Sequence, residues 1–290
     1  MSRAIRLTLL ALLPFCLWAQ TLTRMVAQFP VIIEDDTLSM PFSGGFNGPI
    51  PQFLDWDHDG FLDLFITDGD GRIQQYETDG SGPESFTLLT RSFNDLLIGF
   101  WFYFIDYDLD GDHDLIHSSV FPAAGGAYAF VVYENVEGTL IFRTERLLDD
   151  QGRVLTVSSV VIPTFTDIDG DDWADLFIGS VAGSVTKYRN LGMRDSLPLF
   201  QFETNTFQNI MLVWSPGRSR RHGASALEFF DIDADGDKDL FWGDLYQPSL
   251  FFLENIGTSE VPVIPDSLVE VEYPSPVSYT HLTLPTNREV

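Results

Sequence analysis

The chain predicts an all-β fold, a β-propeller of four-stranded antiparallel blades, and three observations carry that expectation. An Asp-rich pattern of nine residues recurs four times, starting at Asp55, Asp106, Asp167 and Asp231, so successive copies lie 51, 61 and 64 residues apart, a period typical of propeller blades. Alternating apolar strands flank every copy. No stretch of the chain after its leader shows the 3.6-residue apolar period of a helix, which excludes helical solenoids.

Each unit reads in the same order. An alternating strand ends on an aromatic residue two places ahead of the first aspartate: Phe53, Phe104, Phe165 and Phe229. The Asp loop follows, then a strand opening on Leu64-Phe65-Ile66, Leu115-Ile116, Leu176-Phe177-Ile178 or Leu240-Phe241-Trp242. The next strand ends at Tyr76, Tyr133, Tyr188 or Leu253 in a turn rich in Asn and Gly, which favours a hairpin. The last strand of the unit begins near Phe86, Phe142, Phe200 and Val261. Residues 20–50 read as the outer part of a unit, and Val261–Ser275 as the start of a fifth. One sheet cannot cover both of its faces, so neighbouring blades are expected to bury the abundant Phe, Trp and Leu.

The loops predict cation cages. The candidate ligands are Asp55, Asp57, Asp59 and Asp63; Asp106, Asp108, Asp110 and Asp114; Asp167, Asp169, Asp171 and Asp175; and Asp231, Asp233, Asp235 and Asp239. Like charges at positions one, three, five and nine repel unless a hard ion sits among them, and Ca2+ takes six to eight oxygens in flexible geometry. Glycine at position six (Gly60, Gly111, Gly236) permits the tight turn. The third copy departs, with Gly170 at position four and Asp172 at six. An EF-hand requires Glu at position twelve, where this chain has Ile66, His117, Ile178 and Trp242. The intervening residues, among them Trp56, His58, Tyr107, Leu109, Ile168, Ile232 and Ala234, are expected to point away from the ion and to vary.

With the DxDxDGxxDL loops, the DLFxG strands (Asp175–Gly179, Asp239–Gly243) and the YxNxG turn (Tyr188–Gly192), the chain resembles the FG-GAP and VCBS repeats of integrin alpha-subunit propellers and many secreted bacterial proteins, over roughly residues 25–275. The resemblance implies a calcium-binding propeller, usually of seven blades, with one structural ion in a hairpin loop per blade. Four loops then imply up to four Ca2+ and an incomplete ring.

Composition fits an exported protein. The formal charge is -27, yet 19 of the 43 Asp and Glu lie in the four loops, where metal would offset part of it. So acidic a surface argues against a nucleic-acid partner. Residues 1–19 read as a signal peptide, with Arg3 and Arg6 ahead of an apolar stretch too short to span a membrane, and cleavage near Ala19. Cys16 is the one cysteine and falls in this leader, so the mature chain is expected to lack disulfides. Residues 276–290 (ending THLTLPTNREV, with His281) fit no repeat and resemble translated sequencing-adapter read-through, so they are read as a non-native tail, the natural chain continuing beyond about Ser275.

Conventional catalytic signatures, HExxH, GxSxG, Walker or CxxC, are missing. His58 and His113 read as exposed loop residues, and His117 as a core or edge histidine. The aromatic run Trp101–Phe104 reads mainly as core, because alternation buries half of it. One basic cluster, Arg218, Arg220, Arg221 and His222, offers a loop for an anionic ligand such as a uronate polymer. The preferred reading is a secreted, calcium-binding adhesion or ligand-binding module for an extracellular glycan or protein, and not an enzyme. Two others stand beside it: a polysaccharide lyase on the same scaffold, and a scaffold domain of a larger secreted protein.

Overall fold

The computed structural model describes residues 32–33, 36–37, 46, 48–82, 85–123, 125–180, 183–210, 224–244, 250–265 and 269–271. The expected leader (1–19), the basic loop (Arg218, Arg220, Arg221, His222) and the tail (276–290) lie outside the described residues. The chain divides into two compact units, Met1–Gly45 and Phe46–Val290. In the first, β1 (Ile32–Ile33) and β2 (Asp36–Thr37) pair antiparallel with each other alone. The outer part of a blade expected at residues 20–50 is therefore, in these strands, a separate two-stranded sheet.

The second unit is a propeller of four blades, each a meander of four antiparallel strands. Blade one holds β3 (Ile50–Leu54), β4 (Asp63–Thr67), β5 (Ile73–Glu77) and β6 (Thr87–Thr90). Blade two holds β7 (Phe102–Ile105), β8 (Asp114–Ser118), β9 (Tyr128–Val136) and β10 (Thr139–Thr144), with β11 (Thr156–Val157) also pairing to β9. Blade three runs β12 (Thr164–Thr166), β13 (Asp175–Gly179), β14 (Val185–Arg194) and β15 (Leu197–Thr204). Blade four runs β16 (Ala224–Phe230), β17 (Asp239–Asp244), β18 (Leu250–Leu253) and β19 (Val269–Val271). Among the described residues there is no α-helix.

The sequence repeat is a repeat of register. Phe53 faces Leu64, Phe104 faces Leu115, Phe165 faces Leu176 and Phe229 faces Leu240. Alternation sends these pairs to one face of each blade, and Phe65, Ile116, Phe177 and Phe241 to the other. Unlike faces of successive blades then meet: Phe65 packs on Phe104, Phe130 on Phe165, and Phe177 on Phe229, with ring centroids 4.7, 6.3 and 4.6 Å apart. Three apolar clusters result, one at each junction.

Two short 3-10 turns, Phe93–Asp95 and Phe207–Asn209, plug the outer edge of the first and third junctions with a buried phenylalanine. Phe93 lies 5.1 Å from Phe65 and Phe207 lies 5.0 Å from Phe177, centroid to centroid. The first plug is seated by the Ile98 amide, which donates to the Gly71 carbonyl at 2.8 Å. Gly71 has φ +74°, and a Cβ there would stand 2.9 Å from the Ile98 oxygen, so the close approach requires glycine.

Polar staples cross the junctions near the innermost strands, from residues three places ahead of each first aspartate. The Gln52 amide donates to the Phe104 carbonyl and accepts from the Phe104 N–H, both at 2.7 Å, while the Tyr103 hydroxyl donates to the Phe165 carbonyl at 3.3 Å. Tyr103 is half-buried, and Trp101, Phe102 and Phe104 are buried, so the aromatic run is core.

Two expectations need correcting. Val261 does not begin a strand: Thr258 and Val261 bond each other in a turn, and the Ile256 amide donates to the Val263 carbonyl. The outer strand is β19, and it pairs with β18, so it completes the fourth blade instead of starting a fifth. Phe53, although in register with its three counterparts, is 53% exposed because no described blade covers its face.

Candidate metal centres in the aspartate loops

Each Asp loop joins the first two strands of its blade, and all four adopt one geometry. Oδ1 of the position-one aspartate accepts the position-five amide, at 3.1 Å in the first two loops and 3.2 Å in the last two. Its Oδ2 accepts the position-six amide at 3.0 Å in every copy. Oδ1 of position five accepts the position-seven amide, at 2.8 Å from Phe61 and 3.0 Å from Asp112, Trp173 and Asp237.

Positions four and six are left-handed in all four loops. Position four is His58, Leu109, Gly170 and Ala234, with φ of 60, 62, 74 and 62°, and position six is Gly60, Gly111, Asp172 and Gly236, with φ of 93, 99, 69 and 95°. The third loop's departure thus preserves the fold of the loop, because aspartate tolerates this region and glycine relieves position four. A left-handed leucine costs about 1–2 kcal/mol, and the carboxylate–amide bonds hold Leu109 there.

The loops gather carboxylates into triads whose ligand oxygens lie within 4.8 Å of one another: Asp55, Asp57 and Asp59; Asp106, Asp108 and Asp114; Asp167, Asp169 and Asp171; and Asp231, Asp233 and Asp235. Asp110, at position five of the second loop, is outside its triad. Position nine is buried in all four loops, at Asp63, Asp114, Asp175 and Asp239, and joins a triad only in the second. Asp114 Oδ1 accepts the Asn135 amide at 2.7 Å, Asp175 Oδ1 the Asn190 amide at 2.8 Å, and Asp239 Oδ1 the Asn255 amide at 2.8 Å. The side-chain amides of Asn190 and Asn255 return the bond, donating to the position-eight carbonyls of Ala174 and Lys238 at 3.0 and 3.3 Å. The asparagine of the YxNxG turn is therefore a clamp on the Asp loop. Burial pushes the carboxyl of Asp114 up to about 8, and those of Asp63 and Asp175 up to about 6.

A divalent cation fits these loops. Each triad offers only hard oxygens, the Oδ1 atoms of Asp108 and Asp169 are buried without a partner, and the backbone amides already hold the carboxylates in place. The third loop differs electrostatically: Arg189 stands 3.6 Å from Asp169 and 3.2 Å from Asp171, and Lys187 stands 3.0 Å from Asp175. A cation there competes with resident positive charge.

The two kinds of aspartate predict different outcomes. Asp239→Ala strands the buried amide of Asn255, which costs about 1–3 kcal/mol with or without metal, and also removes the acceptor of the part-buried Ile232 amide. Asp233→Ala removes a triad ligand and no buried anchor, so its loss of stability in chemical denaturation is expected only in the presence of a divalent cation.

Residues at position two differ among the four loops, being Trp56, Tyr107, Ile168 and Ile232. They point away from the triads but into the blade junctions: Tyr107 and Ile168 are 2% and 3% exposed. Trp56 packs edge-on against Phe93 with centroids 5.1 Å apart. Only Ile232, in the last blade, is exposed.

Of the histidines, His58 bonds Asp112 across the first two loops at 3.2 Å, and His113 is half-buried instead of exposed, its pKa lowered by burial. His117, on β8, is buried and stacks on Tyr133, centroids 5.8 Å apart. Burial pushes its pKa down to about 4. Tyr133, Glu145 and Arg146 are the ionisable groups around the cavity it lines. A histidine neutral when folded and protonated when unfolded contributes stability above pH 6.5 that is lost as pH falls toward 4, at about 1.4 kcal/mol per pH unit. His117→Phe is expected to flatten that part of the stability–pH curve, read by urea unfolding.

Residues 167–242, from the third Asp loop to the strand after the fourth, match the model of the FG-GAP-like repeat. No curated protein matches the chain.

Proposed function

The chain is a propeller of FG-GAP-like repeats, and from that premise we propose that it is a secreted module that binds structural Ca2+ in its Asp loops and holds an extracellular glycan or protein. The observation that carries the metal reading is the recurrence of one carboxylate–amide geometry in four loops, each bringing three carboxylates together. Two like charges 4 Å apart repel by about 4 kcal/mol at an effective dielectric of 20, and a loop that repeats this four times is suited to a dication. The triads of the first, second and fourth loops would hold the tightest ions, and the third, with Arg189 against it, the weakest. When bound, the ion supplies charge neutralisation and locks the turn. The triad carboxylates would hold the ion, and a shell completed by backbone carbonyls and water would leave it a structural role.

The binding reading is supported by the four-bladed scaffold, whose strands are joined by loops of unequal length that can carry a ligand site. The test is to display the calcium-loaded chain to arrays of glycans and of extracellular proteins, with and without EDTA. Calcium-dependent binding is the expected result. Failure to bind either array, together with turnover of a uronate polymer that is lost on replacing Arg220 and Arg221, overturns it in favour of a lyase.

A further inference from the structure

We propose that the cavity beside His117 on blade two is a binding site for a neutral pyranose ring, an inference that rests on the ligand-binding reading above. The cavity has a volume of about 340 Å3 and is bounded by Leu97, His117, Phe121, Tyr133, Glu145 and Arg146, at the small end of the range of small-molecule sites.

His117 is the group that asks for a ligand. Its Nδ1 lies 2.8 Å from the Ser118 carbonyl oxygen, which can only accept, so the proton is assigned to Nδ1 and Nε2 is left as a bare acceptor. That nitrogen is buried and has no partner, an arrangement that costs free energy until a donor arrives. The repeat supplies an internal comparison. The position that His117 holds, three residues beyond the last loop aspartate, is Ile66, Ile178 and Trp242 in the other blades. Of these four residues only His117 presents an unpartnered acceptor, the buried indole N–H of Trp242 being a donor.

The rest of the wall selects the ligand's class. Tyr133 stacks on the imidazole, and Phe121, 81% exposed on a loop beside the cavity, presents a second aromatic ring. Aromatic faces beside one acceptor suit a ring with an apolar C–H face and hydroxyl donors on its edge, which describes a pyranose. Glu145 and Arg146 also line it, 3.9 Å apart and mostly exposed, so their charges cancel. The site therefore favours a neutral sugar over a uronate or sulfated one.

The experiment titrates methyl glucoside, galactoside and mannoside, and the corresponding glucuronide, into the calcium-loaded full chain, reading heat and the imidazole nitrogen shifts. At least one neutral glycoside is expected to bind and to shift the Nε2 resonance, with at least tenfold weaker binding in both His117→Phe and Leu97→Trp. Leu97 is half-exposed, so its tryptophan variant fills the cavity without disturbing the core and carries the test should His117→Phe fail to fold. Binding unchanged in Leu97→Trp, preference for the glucuronide, or no binding of any neutral glycoside overturns the site. If glycans on the array still bind Leu97→Trp normally, the pocket fails while the glycan-binding reading stands; if the wild type binds no glycan at all, both fall.

Discussion

Removal of calcium is expected to lower the thermal midpoint of this chain more than any single substitution does. A ligand that binds only the folded state at a hundredfold excess over its Kd stabilises by about 2.7 kcal/mol per site, so four occupied loops would together contribute on the order of 10 kcal/mol. Differential scanning calorimetry of the metal-free chain, titrated with Ca2+ and then with EDTA, checks this. The midpoint should climb with calcium and return with chelation, and magnesium should substitute poorly, because it demands octahedral geometry and shorter bonds than these turns supply. A midpoint indifferent to both reagents would leave the loops as metal-free turns held by their own amide bonds. Replacing Arg189 with alanine should raise the number of tightly held ions, since it withdraws the guanidinium from Asp169 and Asp171.

The second large effect is a contrast between two phenylalanines in the same place in the repeat. Phe165→Ala should cost about 3–5 kcal/mol, the usual range for a large aromatic removed from a core, because Phe165 is 4% exposed and meets Phe130, Phe200 and Tyr103. Phe53→Ala should cost less than about 1 kcal/mol, since surface substitutions seldom exceed half of that, and among the described residues its one ring neighbour is Phe86 at 6.2 Å. Urea unfolding of the two variants side by side decides the matter. Equal losses would mean that the face of blade one carrying Phe53 is covered in solution.

That contrast marks how far the residues could be read without the fold. The loops were legible because their chemistry is local: four aspartates at fixed spacing, a glycine and a following strand determine the turn, its positive-φ positions and the register of Phe53, Phe104, Phe165 and Phe229 with their leucines. A signal for the YxNxG clamp was also present, since its asparagine recurs, although its partner on the neighbouring strand was not evident from spacing alone. The phenylalanine plugs carry a faint repeat, SFND and TFQN, that period counting passes over because they lie in linkers of unequal length.

Burial, by contrast, depends on which sheet lies against which. Phe53 and Phe165 have the same neighbours in sequence pattern and in their own blade, and Ile168 and Ile232 occupy the same loop position, yet one of each pair is core and the other meets solvent. The burial of Asp63, Asp114, Asp175 and Asp239, and the unpartnered Nε2 of His117, belong to the same category. The sequence by itself determined the blade and its loop, because hydrogen-bond register and turn geometry are set over a few residues. Only the tertiary structure decided which faces are covered and which polar groups are left without a partner, because those are properties of the junction between blades, and the burial of surface there is what separates a core residue from an exposed one.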